Sequence, residues 1–158
     1  MKTISLWQPW ASLWVLQIKK YETRSWPFPH WHTGPVAIHA AKKKVDLWED
    51  ISDHHLDGIF MALNKAGLNH DDLPRGALIG VCEGIRSTPI FSYQKDELEE
   101  MLGDWTINSG RYCWTPKNMR ALKAPILFRG RQGLFNVDDH IIFGGQPLHK
   151  SHLQLKLF

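Results

Sequence analysis

Three charged side chains lie close together near the start of the chain, at Lys19, Glu22 and Arg24. They follow a Trp-Gln-Pro-Trp segment at 7–10 and precede Trp26. Two cations and one anion beside flat aromatic rings are the components of a pocket for a planar, polar ligand such as a nucleobase. We therefore take this stretch as the candidate binding site.

Each charged residue of the trio has a chemical role that it could fill. Arg24 is suited to a bidentate contact with a phosphate or a base edge. Glu22 is suited to hold one of the cations in place or to accept from an exocyclic amine. Lys19 is suited to contact a phosphate, and a desolvated lysine would have a lowered pKa and act as a base or nucleophile. The alternative is a surface helix end with a salt bridge of little energetic value.

Neighbouring polar and aromatic residues extend the candidate site. Gln8 stands just before a predicted helix, where its amide suits either a base edge or a contact at the helix start. Stacking of a base on an aromatic ring contributes about 1–3 kcal/mol, although we expect core packing for at least half of the eight tryptophans. The full predicted set of ligand contacts is Gln8, Trp10, Ser12, Lys19, Glu22, Arg24, Trp26, Arg111 and Trp114.

The elements that must position these residues follow from hydrophobic spacing and turn signals. We predict helices over 9–18, 46–66 and 92–102, and strands over 3–7, 21–26, 36–41, 77–85, 112–114, 123–128 and 133–136. The strands are short, and no regular alternation of strand and helix occurs. This pattern predicts an α+β fold, a small and mostly antiparallel β-barrel with two to three helices packed around it.

Two N-terminal segments resemble a known family. The Leu-Trp-Gln-Pro-Trp-Ala-Ser-Leu run at 6–13 and the residues at 18–26 resemble the ASCH domain (activating signal cointegrator homology) of the PUA-like superfamily. That family carries a G-x-K-x-x-E-x-R motif after a Q-P-W-A helix. Lys19, Glu22 and Arg24 stand at its charged positions, and Gln17 stands where the family has glycine. We expect Gln17 to be part of the helix.

The resemblance extends along most of the chain. The segments 34–42, 74–81 and 111–114 look like the second strand, a later strand entry and an aromatic strand of the family. The resemblance implies a single domain over 1–158, with a core at about 3–137 and a C-terminal extension at 138–158. It also implies a PUA-like β-barrel with a cleft beside the first helix, and binding of RNA or a nucleotide-like ligand.

Two other functions stay open. Some similar members act on nucleosides or RNA, so Lys19 and Glu22 are the candidate catalytic residues of an amidohydrolase for modified nucleosides or of a ribonuclease. The similar amidohydrolases have threonine where this chain has Glu22. The third possibility is a protein-interaction module, for which we would expect a large exposed apolar patch.

Composition narrows the classes of partner. The net charge of +3 and the pI near 8.9 permit a polyanion, and the basic run at 42–44, after a predicted strand, suggests a phosphate track. A basic C-terminal half adds modest support for a polyanion partner, with Arg111, Lys117, Arg120, Lys123, Arg129 and Arg131. Cys82 and Cys113 form no C-x-x-C pair, and the nine histidines lack metal-ligand spacing, so we expect no metal and no cofactor. No apolar run or leader segment indicates a membrane or secretion, and we expect a cytoplasmic monomer.

Overall fold

The computed structural model describes residues 1–92 and 95–144, and over these ranges the protein is α+β. Its strands are β1 (Lys2–Leu6), β2 (Glu22–Arg24), β3 (Val36–Ala40), β4 (Ala77–Cys82), β5 (Gly84–Pro89), β6 (Tyr112–Lys117), β7 (Arg120–Leu127) and β8 (Leu134–Asn136). Its helices are α1 (Trp10–Val15), α2 (Leu47–Asp50), α3 (Asp53–Ala66), α4 (Glu97–Leu102) and α5 (Asp139–Phe143), with short 3-10 turns at His70–Asp72 and Ile90–Ser92.

The strands form two sheets. The larger has the order β7-β4-β3-β1-β8, and the smaller has the order β2-β6-β5. Within them β1 and β3 pair in parallel, whereas the other neighbours are antiparallel. The expectation of a mostly antiparallel α+β protein is confirmed. Closure into a barrel is not, because among the described strands no ladder of hydrogen bonds joins the two sheets.

Helix α1 is shorter than predicted, and the reason lies at Gln17. Gln17 has a φ of 58°, in the left-handed region that favours glycine. The N–H of Gln17 donates to Trp14 O, and the N–H groups of Ile18 and Lys19 donate to Leu13 O. This is the Schellman arrangement that ends a helix. The expectation that Gln17 is helical is therefore wrong, although its backbone adopts the conformation that the motif's glycine would favour.

The long predicted helix at 46–66 is divided in two. Asp46 accepts hydrogen bonds from the N–H groups at the start of α2, and Ile51 then takes an extended conformation with φ −123° and ψ 136°. A second start follows at Ser52, which precedes α3. The predicted strand at 77–85 is also two strands, since β4 ends at Cys82 and β5 begins at Gly84.

Helix α1 lies between two parts of the hydrophobic core. Trp14 and Val15 pack with the sheet residues around Ile38, whereas Leu13 packs with α2 and α3. Gly80 on β4 permits the close approach, since a Cβ there would lie 2.6 Å from a methyl group of Val15. This packing fixes α1, and with it the residues that follow, against the larger sheet.

The C-terminal extension is described only as far as residue 144. Its first part forms α5, and Asp139 there pairs with the N-terminal ammonium group of Met1 at 2.8 Å. Residues 145–158 lie outside the described part. Within the described ranges no helix has the length and apolar character needed to cross a bilayer.

Candidate functional site

Lys19 is a buried cation with two partners. The residue follows the turn that ends α1 and is 1% exposed. Its Nζ donates to Glu22 Oε2 at 2.7 Å and also to the carbonyl oxygen of Tyr21. A buried charge with an ionic partner and a second acceptor is held in one position. Lys19 therefore holds the Glu22 carboxylate in place from the protein interior.

Glu22 links the two cations of the motif. Its other oxygen, Oε1, lies 3.0 Å from Arg24 Nε, in an ion pair without the alignment of a hydrogen bond. Glu22 and Arg24 are two residues apart on β2, so their side chains project to the same face of the strand. The trio predicted from the sequence is thus assembled, with the carboxylate of Glu22 between the cations.

The Arg24 guanidinium is in contact with the protein on one side and partly exposed on the other. Its guanidinium carbon lies 5.9 Å from the centre of the Trp114 ring, within range of a cation–π contact. Its side chain is 28% exposed. Neither Nη group has a hydrogen bond or ion pair with any side chain or backbone group in the described ranges. Four N–H donors of Arg24 are therefore oriented but uncommitted.

Trp114 supports the site from the core. It is fully buried, packs edge-on against Trp26 and Phe28, and donates from its indole N–H to Trp26 O at 3.2 Å. A buried ring offers no face to a base, so the expected stacking role of Trp114 does not fit this structure. Trp26 is half-buried.

A cleft of about 280 Å³, here called the motif cleft, opens beside the trio. Its lining includes Trp10, Lys19, Glu22, His55, Asp104 and Arg111. Arg111, which the sequence placed in the site, pairs with Asp104 Oδ2 at 3.2 Å and donates to Thr23 O at 3.4 Å. Hydrogen bonds from Thr106 lower the pKa of Asp104 below its usual value, and the nearby positive charge of Arg111 lowers it further.

His55 is a motif-cleft residue that the sequence did not single out. Its Nδ1 lies 2.6 Å from Met101 O on α4. With the proton on Nδ1 donated to that carbonyl, Nε2 keeps its lone pair when the ring is neutral. No sequence signal could have identified this role, because it depends on α3 and α4 packing together and on the break before α3.

A second cleft of about 250 Å³, the bridge cleft, lies on the other side of Glu22. It is lined by Ser5, Leu6, Trp7, Trp10, Glu22 and Arg24. Trp10 and Glu22 line both clefts and so form the wall between them. Trp7 is 51% exposed, which leaves much of its ring accessible.

Gln8 and Ser12 serve the start of α1 instead of lining these two clefts. The amide nitrogen of Gln8 donates to Ser12 Oγ at 2.8 Å and to Pro74 O at 2.7 Å. Its amide oxygen accepts from the N–H of Ser12 at 3.1 Å. Both N–H groups of the buried amide are therefore used within the protein. Of the two interpretations of Gln8, this geometry fits the contact at the helix start.

The remaining candidates for chemistry are the two cysteines and any cluster of metal-binding side chains. Burial raises the pKa of both Cys82 and Cys113 to about 12, so neither thiol is activated. No cluster of three or more histidine, cysteine, aspartate or glutamate side chains able to hold a metal ion is found within 1–92 and 95–144.

No protein-family model and no curated protein matches this chain. The resemblance to the ASCH domain therefore stands on the residues at 6–13 and 18–26 and on the three shorter segments named above.

Proposed function

We propose that this protein binds RNA through an ASCH-like site at the Lys19-Glu22-Arg24 trio. One observation carries the proposal. The Arg24 guanidinium lies against Glu22 and Trp114, its side chain is 28% exposed, and neither of its Nη groups has a partner in the described structure. A guanidinium held through Nε, with both Nη groups uncommitted, matches a phosphate or the edge of a guanine.

Lys19 and Glu22 act in this proposal as the support for Arg24. The lysine ion pair keeps the Glu22 carboxylate in place at 2.7 Å, and the carboxylate in turn directs Arg24. Binding groups held in advance lose less freedom when the ligand arrives. The direct phosphate contact expected of Lys19 passes to Arg24, since the lysine is buried.

Trp10 supplies the aromatic surface of the proposed site. It is half-buried and lines both the motif cleft and the bridge cleft. A base stacked on such a ring gains about 1–3 kcal/mol whatever its identity. The proposal includes the PUA-like barrel implied by the resemblance, and the packing of α1 on β3 and β4 supports it.

A hydrolase for modified nucleosides or RNA is the second candidate, and His55 favours it. Lys19 is poorly placed to act as a nucleophile, because its amine is buried and donates to both Glu22 Oε2 and Tyr21 O. His55, with Nδ1 bonded to a carbonyl, gives the same cleft a group able to accept a proton. Loss of turnover in His55→Gln with RNA affinity unchanged would support this candidate.

The test of RNA binding uses a labelled single-stranded RNA and fluorescence anisotropy. We expect Arg24→Ala to weaken binding roughly tenfold to a hundredfold, the cost of one bidentate contact. Arg120→Ala is the matched control, because Arg120 has a similar side-chain exposure of 25%, also lies next to a glutamate, and lines neither cleft. Equal binding by the two variants, both with wild-type melting curves, would refute the proposal.

A further inference from the structure

A third and larger groove, here called the basic groove, lies beside the bridge cleft. It has a volume of about 1120 Å³ and runs between β1, β3 and the segment 128–133 that follows β7. Four cationic side chains line it, Arg24, Lys42, Arg129 and Arg131. No aspartate or glutamate of the described chain does.

Three of the four groove cations have no carboxylate partner among the described residues. Lys42, Arg129 and Arg131 form no ion pair with any carboxylate in the described ranges. Cations without an ion pair also occur elsewhere in the described ranges, for example Lys2, Lys65 and Lys123. The groove is distinguished by having several such cations in one cavity whose lining contains no carboxylate. A groove lined by unpaired cations has a positive potential that attracts polyanions.

The three clefts lie side by side and share lining residues, and this row of clefts is here called the path. The basic groove shares Ser5, Trp7 and Arg24 with the bridge cleft. The bridge cleft shares Trp10 and Glu22 with the motif cleft. Arg24 therefore stands where the path passes from the motif to the cations of the groove.

Aromatic rings accompany the cations along this path. Trp7, Trp26 and Phe128 line the basic groove. Lys43 Nζ lies 4.9 Å from the centre of the exposed Trp7 ring, which adds a cation at the junction. Rings beside a row of cations suit a strand with unstacked bases, whereas a duplex keeps its bases stacked inside. The lining therefore favours a single strand.

The segment with the two arginines lies directly on the sheet because residue 130 is glycine. A Cβ on Gly130 would lie 2.3 Å from the His39 ring and 2.8 Å from Ser5 Oγ. Beneath it, Ser5 Oγ lies 2.9 Å from His39 Nδ1, and His39 Nε2 lies 2.9 Å from Phe128 O. Both ring nitrogens of His39 therefore have hydrogen-bond partners within the protein, and the cationic lining of the groove comes from Arg24, Lys42, Arg129 and Arg131.

We infer that the basic groove binds the phosphodiester backbone of a single-stranded RNA whose base is held at the Arg24 end of the path. This inference rests on the proposed function and names its substrate as an extended single strand instead of an isolated nucleotide. The groove supplies affinity that does not depend on sequence, while Arg24 and the two smaller clefts contact one nucleotide.

The experiment compares two double variants with the same change in charge. Arg129→Ala/Arg131→Ala removes two groove cations, whereas Lys117→Ala/Lys123→Ala removes two exposed cations that line none of the three clefts. The probes are a labelled 12-nucleotide single-stranded RNA, the same RNA as a duplex, and a labelled mononucleotide, each titrated over a range of salt concentrations.

Each phosphate contact to a single strand adds about −0.7 to the slope of log affinity against log salt. We expect the groove variant to reduce the slope by about 1.4 and to lower affinity for the 12-nucleotide strand, with mononucleotide binding unchanged. The control variant should keep the wild-type slope. The duplex should bind more weakly than the single strand.

Failure of this inference is distinct from failure of the proposed function. If the 12-nucleotide strand binds in an Arg24-dependent manner but both double variants have the wild-type slope, the groove inference is wrong and the proposed function stands. Equal affinity for duplex and single strand overturns the assignment of a single strand. If wild-type protein binds none of the probes, the proposed function itself fails and the inference fails with it.

Discussion

The motif cleft and the basic groove use positive charge in opposite ways. In the motif cleft, Lys19 and Arg111 each have a carboxylate partner. In the basic groove, Lys42, Arg129 and Arg131 have none among the described residues. Paired charges hold a geometry, whereas unpaired charges supply attraction that salt weakens. Under the proposed function, the motif cleft would contact a nucleotide and the basic groove would retain the rest of the strand.

The largest effect is expected where a charge pair is buried. Glu22→Gln keeps the shape of the side chain but leaves the buried Lys19 ammonium without its anion, which costs about 3–5 kcal/mol of unfolding free energy. Urea denaturation measures this loss. The control is Lys44→Gln, since Lys44 pairs with Asp71 on the surface with both side chains more than half exposed, and such a pair contributes about 0–1 kcal/mol. Equal losses in both variants would contradict the claim that the buried Lys19–Glu22 ion pair stabilises the fold.

The next effect tests the floor of the basic groove. Gly130→Ala places a methyl group against the His39 ring, and overpacking of this kind costs about 1–3 kcal/mol. We expect a lower melting temperature together with weaker binding of single-stranded RNA, because the segment carrying Arg129 and Arg131 must move. Gly34→Ala is the control, since a Cβ there would have its nearest neighbour at 3.5 Å. A Gly130→Ala protein as stable as the control would show that the segment does not rest on His39.

A smaller effect concerns pH. Burial lowers the pKa of His39 below its usual value, so the unfolded chain binds a proton at a higher pH than the folded protein does. The contribution of neutral His39 to stability is fully present above the unfolded pKa of about 6.5, and it is lost as pH falls toward the folded pKa, by at most about 1.4 kcal/mol per pH unit. Urea denaturation between pH 7.5 and 5 should show a steeper loss in wild type than in His39→Gln. Parallel curves would assign the pH dependence to other groups, such as His70, whose pKa is also lowered by burial.

The smallest effect concerns the turn that positions the trio. Gln17→Gly removes the side chain from a residue with a left-handed backbone. We expect this change to raise the unfolding free energy by about 0.5–1 kcal/mol. Gln17→Ala is the control, because it removes the bond from Gln17 Nε2 to Trp14 O without relieving the backbone. A loss of stability in Gln17→Gly equal to that in Gln17→Ala would mean that this side-chain bond outweighs the backbone strain.

The sequence predicted best those features that depend only on residues close together along the chain. Lys19, Glu22 and Arg24 lie within one turn and one short strand, so local geometry alone brings them together. The strands were mostly found, with limits shifted by a few residues. The trio was therefore predictable as a cluster, although the burial of Lys19 was not.

The sequence could not predict what depends on distant packing. His55 and Asp104 reach the motif cleft only because α3 and α4 meet there. The break at Ile51 was hidden by helical spacing that continues across it. The place of Gln8 depends on the carbonyl of Pro74, 66 residues away, and no local pattern reveals such a partner.

The single carboxylate of Glu22 has a consequence for how the clefts respond to their contents. It braces Lys19 on the side of the motif cleft and Arg24 on the side of the bridge cleft. A group that draws this carboxylate into one cleft withdraws support from the arginine facing the other. We therefore expect ligands in the two clefts to be energetically coupled, in which case the occupant of either one would change the affinity of its neighbour by the same factor.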